Sequence, residues 1–285
     1  MENRENLFLS FITAAISEDI STGDHTSLAT IPENSQVVAK ITSKDKGIIA
    51  GIEWAEKIFL YYDKSLVIEK LVHDGQPVDF GTELITISGN ARSILAMERI
   101  ALNVMQRISG ISTYSSFLSN KIKHTHTKIL DTRKTTPGLR FLEKEAVLTG
   151  GGKNHRMGLY DMMMIKDNHI DFAGGISKAI ESAKKYIKDR NLDIKIEVEV
   201  RNLEELNEVL LVGGIHRIML DNFKPENIKI ALEIIDGKYE TEASGGINEK
   251  NLVEYAETGV DYISIGALTH TVKNFDISLT AQRNG

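Results

Sequence analysis

The segment Ile194-Lys195-Ile196-Glu197-Val198-Glu199-Val200 alternates four aliphatic residues with three charged ones. Successive side chains of a strand point to opposite faces. One face of this strand is therefore apolar and the other carries a lysine and two glutamates. A strand in a parallel sheet is normally apolar on both faces, and a buried carboxylate without a partner is costly. The charged face needs either internal ion pairs or a ligand. An internal network accounts for Lys195 and Glu197. Glu199 lies nearest the C-terminal end of the strand and is a candidate for chemistry. Other apolar runs end in the same way, with Asp131-Thr132-Arg133-Lys134, Lys166-Asp167-Asn168-His169 and Asp221-Asn222. One charged residue at a strand end is usually a helix cap or a solvated loop. Four such ends converging on one face make a site. Its cations bind anions. Its carboxylates bind sugar hydroxyls or Mg2+, which takes one or two carboxylates together with substrate phosphates; Glu199 and Asp221 fit that role.

Two glycine turns point to phosphate. Ser244-Gly245-Gly246 and Gly266-Ala267 each separate a strand from a helix. There, backbone N–H groups and a helix N-terminus can meet an anion. The basic run Gly150-Gly151-Gly152-Lys153-Asn154-His155-Arg156 lacks the GK[ST] ending of a P-loop. With Arg133 and Arg140 it could clamp a carboxylate through two parallel hydrogen bonds. His124 and His126 read as surface residues, Met162–Met164 as strand core, and Glu18-Asp19 as a helix end rather than an acidic pair after a strand.

These residues need a scaffold that brings strand ends together. Short apolar runs at 128–130, 162–165, 194–200, 217–220, 239–243 and 262–265 alternate with helical patterns at 176–187, 203–212, 228–235 and 252–258. Such alternation predicts parallel βαβ units. Strand ends at 199, 221, 243 and 265 recur every 22 residues. Glycine turns follow the last strands rather than the first, which is the habit of a (β/α) barrel with its site at the C-terminal mouth. Before this, residues 5–17 form a helical stripe of Leu7, Phe8, Phe11, Ile12, Ala15 and Ile16. Residues 35–90 read as short strands around one helix at 52–62. Residues 93–118 read as a long helix, with Ser93 as N-cap and Gly110 interrupting it near a domain border. The expected fold is α/β. An N-terminal α+β domain over 1–111, with which 271–285 packs, precedes a barrel domain over 112–270.

The 285 residues include no cysteine, which excludes disulfides, thiolate metal sites and a cysteine nucleophile. A net charge of −6 disfavours non-specific nucleic-acid binding. Residues 131–170 nevertheless hold seven Lys/Arg against five Asp/Glu, a local balance of +2. A basic island in an acidic chain suits a small anionic ligand. The start, MENRENLFLSF, lacks a signal-peptide pattern. No stretch approaches the roughly 20 apolar residues of a membrane span, and a cytoplasmic location is expected.

The segments SEDISTGDHTS, ERIALNVMQRISGIST, DTRKTTPGLR, GGGKNHRMGLYDMMMIKDNH, IEVEV, IMLDN, ASGGI and GVDYISIGALTH occur in this order over most of the chain. Together they resemble the quinolinate phosphoribosyltransferases, the carboxylating nicotinate-nucleotide pyrophosphorylases. The resemblance implies an incomplete (β/α) barrel behind an N-terminal α/β domain, working as a homodimer or higher homo-oligomer. The implied substrates are quinolinate and 5-phosphoribosyl-1-pyrophosphate with Mg2+, and the products are nicotinate mononucleotide, pyrophosphate and CO2. It implies that Arg99 reaches the partner subunit's quinolinate, and that Arg133, His155 and Arg156 hold the two carboxylates, beside Thr132. Lys134 and Lys166 lie between quinolinate and pyrophosphate. Glu199 and Asp221 hold the ribose hydroxyls and the metal. Ser244, Gly245, Gly246, Ser264, Gly266 and His270 cradle the ribose phosphate. Glu145 departs from the family pattern, which often has an aromatic residue there. A related transferase with another acceptor, such as nicotinate or that of the molybdenum-transport-linked relatives, and a non-catalytic nucleotide-binding protein on the same scaffold are the alternatives. The cationic cluster favours a dicarboxylate, since a monocarboxylate would leave a buried cation unpaired. The non-catalytic reading predicts loss of Lys134, Lys166, Glu199 or Asp221, and all four are present.

Overall fold

The hydrophobic periods set the element order found in the structure, a computed structural model that describes residues 4–282. The first three residues of the N-terminal segment and the last three of the expected 271–285 segment lie outside the described residues. In chain order come α1 (Arg4–Asp19), α2 (His25–Thr30), β1 (Gln36–Ser43), β2 (Gly47–Ile48), α3 (Ile52–Tyr62), β3 (Val67–Lys70), β4 (Pro77–Val78), β5 (Glu83–Asn90) and the long α4 (Ala91–Lys121). Next are β6 (Lys128–Leu130), α5 (Arg140–Thr149), β7 (Met162–Ile165), α6 (Asp167–Ala173), α7 (Ile176–Arg190), β8 (Lys195–Val200), α8 (Leu203–Val212) and β9 (Arg217–Asp221). The chain closes with α9 (Pro225–Ile235), β10 (Glu240–Ser244), α10 (Leu252–Ala256), β11 (Tyr262–Ser264), α11 (Ala267–His270) and β12 (Ile277–Ala281).

The chain divides into two compact units. One comprises residues up to Ser116, Thr135–Gly151 and the segment from Thr269; the other comprises Phe117–Lys134 and Gly152–Leu268. The first is built on a sheet ordered β12-β1-β5-β3, with antiparallel neighbours. Its core gathers Ile41, Ile85 and Ile87 from the sheet, Trp54, Ile58 and Phe59 from α3, and Met97 and Met105 from α4. Trp54 sits between Phe8 of α1, at 5.6 Å between ring centroids, and Phe141 of α5, edge-on at 5.5 Å. Such pairs are worth about 0.5–1.5 kcal/mol beyond their buried area. They explain why α5 returns to this unit, a return that contiguous blocks at 1–111 and 112–270 do not include. Glu145, the departure noted above, has a structural task. It accepts the Trp54 indole N–H at 3.1 Å and two hydrogen bonds from Arg4, at 2.7 and 2.8 Å.

Three local expectations change. Of the α1 stripe only Phe8 and Ile12 are buried; Leu7, Phe11 and Ala15 line a cavity of about 710 Å³ within the same unit. The α4 N-terminus is capped by Asn90 rather than Ser93, since Asn90 Oδ1 accepts from Arg92 N at 2.9 Å and Ser93 N at 3.2 Å. Gly110 does not interrupt α4, which runs straight through it. A Cβ there would collide with the Lys273 carbonyl, and Phe275 N donates to Gln106 O at 2.9 Å beside it. Gly110 is thus a point of close backbone approach.

The second unit is a six-stranded parallel sheet ordered β6-β11-β10-β9-β8-β7. Helices α6 to α10 fall between successive strands. The two end strands, β6 and β7, are not hydrogen-bonded to each other, so the barrel is incomplete. Ile196, Val198 and Val200 of β8 are buried on one face, as the alternation predicts. Helix ends carry ordinary signals: Asn202 caps α8 by accepting from Glu205 N at 2.8 Å, and Pro225 opens α9. Met162–Met164 form β7 but are only half-buried.

Candidate active site

The barrel lumen is built by register. Glu197 lies opposite Arg217, Glu199 opposite Met219, Met219 opposite Glu242, and Asp221 opposite Ser244. Cross-strand partners share a face, so alternate residues of β8, β9 and β10 all project into the lumen. The charges form three levels between the strand starts and the strand ends.

At the lowest level Arg217 holds two carboxylates. Its Nη2 lies 3.1 Å from Glu240 Oε2 and its Nη1 3.1 Å from Glu242 Oε2, while the guanidinium stacks 4.2 Å from the Tyr262 ring centre. In the middle, His155 Nε2 lies 3.0 Å from Glu197 Oε2 and 3.3 Å from Glu242 Oε2. Both glutamates are fully buried. Burial and the neighbouring Glu242 charge push the Glu197 carboxyl up to about 7, against His155 and Arg217. Burial also opposes ionisation of Glu242, but His155, Arg217 and the Ser264 hydroxyl outweigh it and hold its pKa below the usual value. The ligand atoms of His155, Glu197 and Glu242 lie within 4.8 Å of one another, a spacing a cation could fill, and Arg217 already brings a positive charge there.

At the top, Lys166 Nζ donates to Glu199 Oε2. Lys166 follows β7, and its backbone N donates to His169 Nδ1 at 3.0 Å, which anchors the start of α6. Asp221 ends β9, and its Oδ2 accepts from Asn222 Nδ2 at 2.7 Å. Two hard carboxylates at the ends of adjacent strands form a donor set that fits Mg2+ bound with substrate phosphates.

The cations come from two loops. Arg133 and Lys134 follow β6 and are exposed, and the Lys134 N–H donates to Thr132 Oγ1 at 3.1 Å. Arg156 is half-buried, and its Nη1 donates to Met162 O at 3.2 Å. Burial and the nearby Arg133 charge both lower the Arg156 pKa, so two guanidinium groups share one neighbourhood. Two neighbouring guanidinium groups have the chemistry to bind an anion. Asp131 is not part of the exposed constellation. It is fully buried, and its Oδ1 accepts the His155 N–H at 2.9 Å.

At the glycine turns, Gly245 has φ +97°, and a Cβ there would lie 2.7 Å from Asn222 Cγ and 2.9 Å from Asn222 N. The Asn222 N–H donates to Ser244 O at 2.8 Å, locking the two strand ends together. Gly246, at φ +64°, faces open space. Gly266 leads directly into α11, whereas several residues separate Gly246 from α10. The Ser264 hydroxyl turns into the lumen toward Glu242.

The barrel thus brings together Thr132, Arg133, Lys134, Arg156, Lys166, Glu199, Asp221, Ser244, Gly245, Gly246 and Gly266 as strand-end and loop residues. His155 and Ser264 lie beneath them on the Glu197–Glu242 network. Arg99 and His270 belong to the first unit. Arg99 Nη2 lies 3.7 Å from Glu98 Oε1, and His270 Nδ1 lies 2.5 Å from Thr271 Oγ1. Arg217 and Glu242 were missed from the sequence. The signal was present: Glu240, Glu242 and Ser244 alternate with Thr241 and Ala243 as the charges do in β8.

Comparisons with known proteins agree in scope with this architecture. The family model described as Quinolinate phosphoribosyl transferase, N-terminal domain, matches residues 24–109, and that for the C-terminal domain matches residues 111–280. The chain is 47% identical over 283 residues to the chloroplastic nicotinate-nucleotide pyrophosphorylase [carboxylating] of Arabidopsis thaliana, covering 94% of this chain and 81% of that protein. It is 42% identical over 264 residues to a probable nicotinate-nucleotide pyrophosphorylase [carboxylating] of Bacillus subtilis, covering 92% and 89%. Among solved structures, the nicotinate-nucleotide pyrophosphorylase of Francisella tularensis superposes with a TM-score of 0.92 at 40% identity, covering 99% of this chain and 98% of that one. With both domain models matched in order and the two curated relatives alike over 81% and 89% of their lengths, the chain belongs to the quinolinate phosphoribosyl transferase family.

Proposed function

We infer that the chain transfers the phosphoribosyl group of 5-phosphoribosyl-1-pyrophosphate to quinolinate and decarboxylates the adduct, giving nicotinate mononucleotide, pyrophosphate and CO2. Family membership supports the reaction. The observation within the site that supports it is the meeting of cations and carboxylates at the strand ends of one barrel: Arg133 and Lys134 after β6, Lys166 after β7, Glu199 near the end of β8 and Asp221 at the end of β9.

The reaction needs no covalent nucleophile. Arg133 and Arg156 hold the quinolinate carboxylates and orient the pyridine nitrogen toward C1 of the ribose, with Thr132 beside them. Orientation of two bound reactants supplies much of the rate. Lys134 and Lys166 stabilise the leaving pyrophosphate, and Glu199 and Asp221 take the ribose hydroxyls and stabilise the positive charge that grows at C1 as the C1–oxygen bond breaks. Mg2+, when bound, would be held by Glu199 and Asp221 with the donor phosphates and would neutralise pyrophosphate charge. The pyridine nitrogen bonds to C1 and becomes positive. The 2-carboxylate then leaves as CO2, its bonding electrons stay on the ring beside the cationic nitrogen, and a proton replaces it. Ser244, Gly245, Gly246 and Gly266 form the ribose-phosphate cradle. Arg99 acts on the acceptor site of a partner subunit in a homodimer. The cytoplasmic location expected above belongs to this proposal; among the described residues no helix is long and apolar enough to cross a membrane.

The test is an assay of purified protein with quinolinate, the donor and Mg2+, following nicotinate mononucleotide and CO2, beside a nicotinate reaction. Product from quinolinate alone is expected. Turnover of nicotinate but not quinolinate would overturn the reading of the arginine pair.

A further inference from the structure

Among the described residues, four other than glycine have a backbone φ in the left-handed region: Ser21, Asn191, Asn222 and Asp236. Asn191 and Asp236 end helices α7 and α9, where that conformation closes the last turn. Ser21 lies in the turn after α1. Asn222, at φ +57°, follows strand β9 and ends no helix. This conformation is costly for an L side chain, less so for asparagine, and free for glycine. The neighbouring turn uses glycine for it twice, at Gly245 and Gly246. A side chain at 222 must therefore do something that a glycine could not.

Its contacts show what that is. Asn222 Nδ2 donates to Asp221 Oδ2 at 2.7 Å. The carboxylate sets the orientation of the amide, because the reverse would place Asn222 Oδ1 against Asp221 Oδ2. The amide lies where Gly245 has no side chain: a Cβ there would stand 2.7 Å from Asn222 Cγ. The Asn222 N–H donates to Ser244 O at 2.8 Å, and Asp221 and Ser244 are partners in register. One residue thus bridges the carboxylate that ends β9 and the glycine turn that follows β10. Asn222 is exposed, so burial does not hold its amide. The left-handed backbone, the tie to Ser244 and the gap at Gly245 hold it. A neutral donor on one oxygen leaves the Asp221 charge intact while restricting its rotation, which lowers the ordering cost when a ligand binds.

We propose that Asn222 is a positioning residue for the phosphoribosyl donor: its amide, seated in the space that Gly245 leaves, holds Asp221 Oδ2 and leaves Oδ1 for the ribose hydroxyls and the metal. The proposal rests on the reading of Asp221 as a donor contact. It also gives Gly245 a second reason to lack a side chain, beside the phosphate turn.

Asn222→Gly separates the side chain from the backbone, since it removes the amide and keeps the left-handed conformation. Calorimetric binding of 5-phosphoribosyl-1-pyrophosphate with Mg2+ is compared with wild type, beside thermal melting without ligands and the quinolinate KM. The variant should melt within a few degrees of wild type and keep its quinolinate KM. It should bind the donor roughly 10-fold more weakly, the effect of losing one hydrogen bond to a charged group. Asn222→Ala, which lacks both the amide and an easy left-handed backbone, should lose donor affinity to the same extent and also melt lower. Undiminished donor affinity in Asn222→Gly overturns the proposal. So does a large fall in its melting temperature, or equal weakening toward donor and quinolinate, since either marks a merely structural role. Wild-type binding tests the underlying reading separately. Its absence removes Asp221 as a donor contact and the proposal with it, whereas normal wild-type binding with undiminished binding by Asn222→Gly removes the proposal alone.

Discussion

Lys166 and Glu199 close the lumen at the ends of β7 and β8, the ammonium donating directly to Glu199 Oε2. Of the two carboxylates on that face of β8, Glu197 is sealed inside and Glu199 stands at the opening, with its side chain 9% exposed. The pair satisfies both charges. In the proposed reaction Lys166 would turn to the pyrophosphate and leave Glu199 to the ribose. Lys166→Ala, Lys134→Ala and Glu199→Ala should each lower kcat/KM by about 10²–10³-fold, the range for removing one preorganised electrostatic group. Circular dichroism should show the fold intact. Near-normal turnover in Lys134→Ala and Glu199→Ala would remove them from the chemistry.

Gly245 is a second sensitive point. Its φ of +97° and the Asn222 atoms around its Cβ direction leave no place for a methyl group. Gly245→Ala should cost about 1–3 kcal/mol of stability and raise the KM for the phosphoribosyl donor more than that for quinolinate. Thermal melting and steady-state kinetics check both. An unchanged donor KM would detach this turn from phosphate binding.

In the first unit, Glu143 is fully buried. Its Oε1 accepts from Arg107 Nε at 3.1 Å and Nη2 at 3.0 Å, and its Oε2 accepts from Thr136 N at 3.2 Å. Arg107 also donates to the Thr269 carbonyl. Breaking a buried pair leaves an uncompensated charge. Arg107→Ala should therefore lower unfolding stability by about 3–5 kcal/mol, whereas Arg107→Ala with Glu143→Leu should recover much of it. Denaturant titration of both proteins decides the matter, and a small loss in the single variant would contradict it.

Asp74 supplies a pH test. Burial, helped by the Glu53 charge, raises its pKa above 3.8 despite hydrogen bonds from the α3 N-terminus, including Ile52 N at 2.8 Å. A pKa raised on folding means that the protonated form favours the fold. That contribution is full below 3.8 and is lost as the pH rises through the folded pKa. Ionised Asp74 therefore weighs against the fold at neutral pH. Asp74→Asn, which keeps the acceptor oxygen, should be more stable than wild type at neutral pH, and the gain should vanish as the pH falls below the raised value. Parallel stability curves for the two proteins would refute this.

The elements were legible because each has a local cause. The period-2 run in β8 and the helical stripe of α8 come from hydrophobic spacing alone, and the 22-residue recurrence of strand ends foretold which loops share one mouth. Local rules failed where a distant chain segment intervened. Gly110 reads as a helix breaker until Lys273 is seen to cross it, and Ser93 reads as a cap until Asn90, three residues earlier, takes both N–H groups.

The sequence by itself determined the α/β class, the strand-end residues Arg133, Lys134, Lys166, Glu199 and Asp221, and the glycine turns, since side-chain alternation and backbone freedom are properties of short segments. Only the tertiary structure decided where His155 points and what Glu242 does. Depth in a barrel depends on register between strands far apart in the chain. Arg217 meets Glu242, and Glu242 meets His155, only after β8, β9 and β10 are aligned. Once aligned, the low dielectric of the lumen makes every unpaired charge costly, and it is this cost that joins the three into one network.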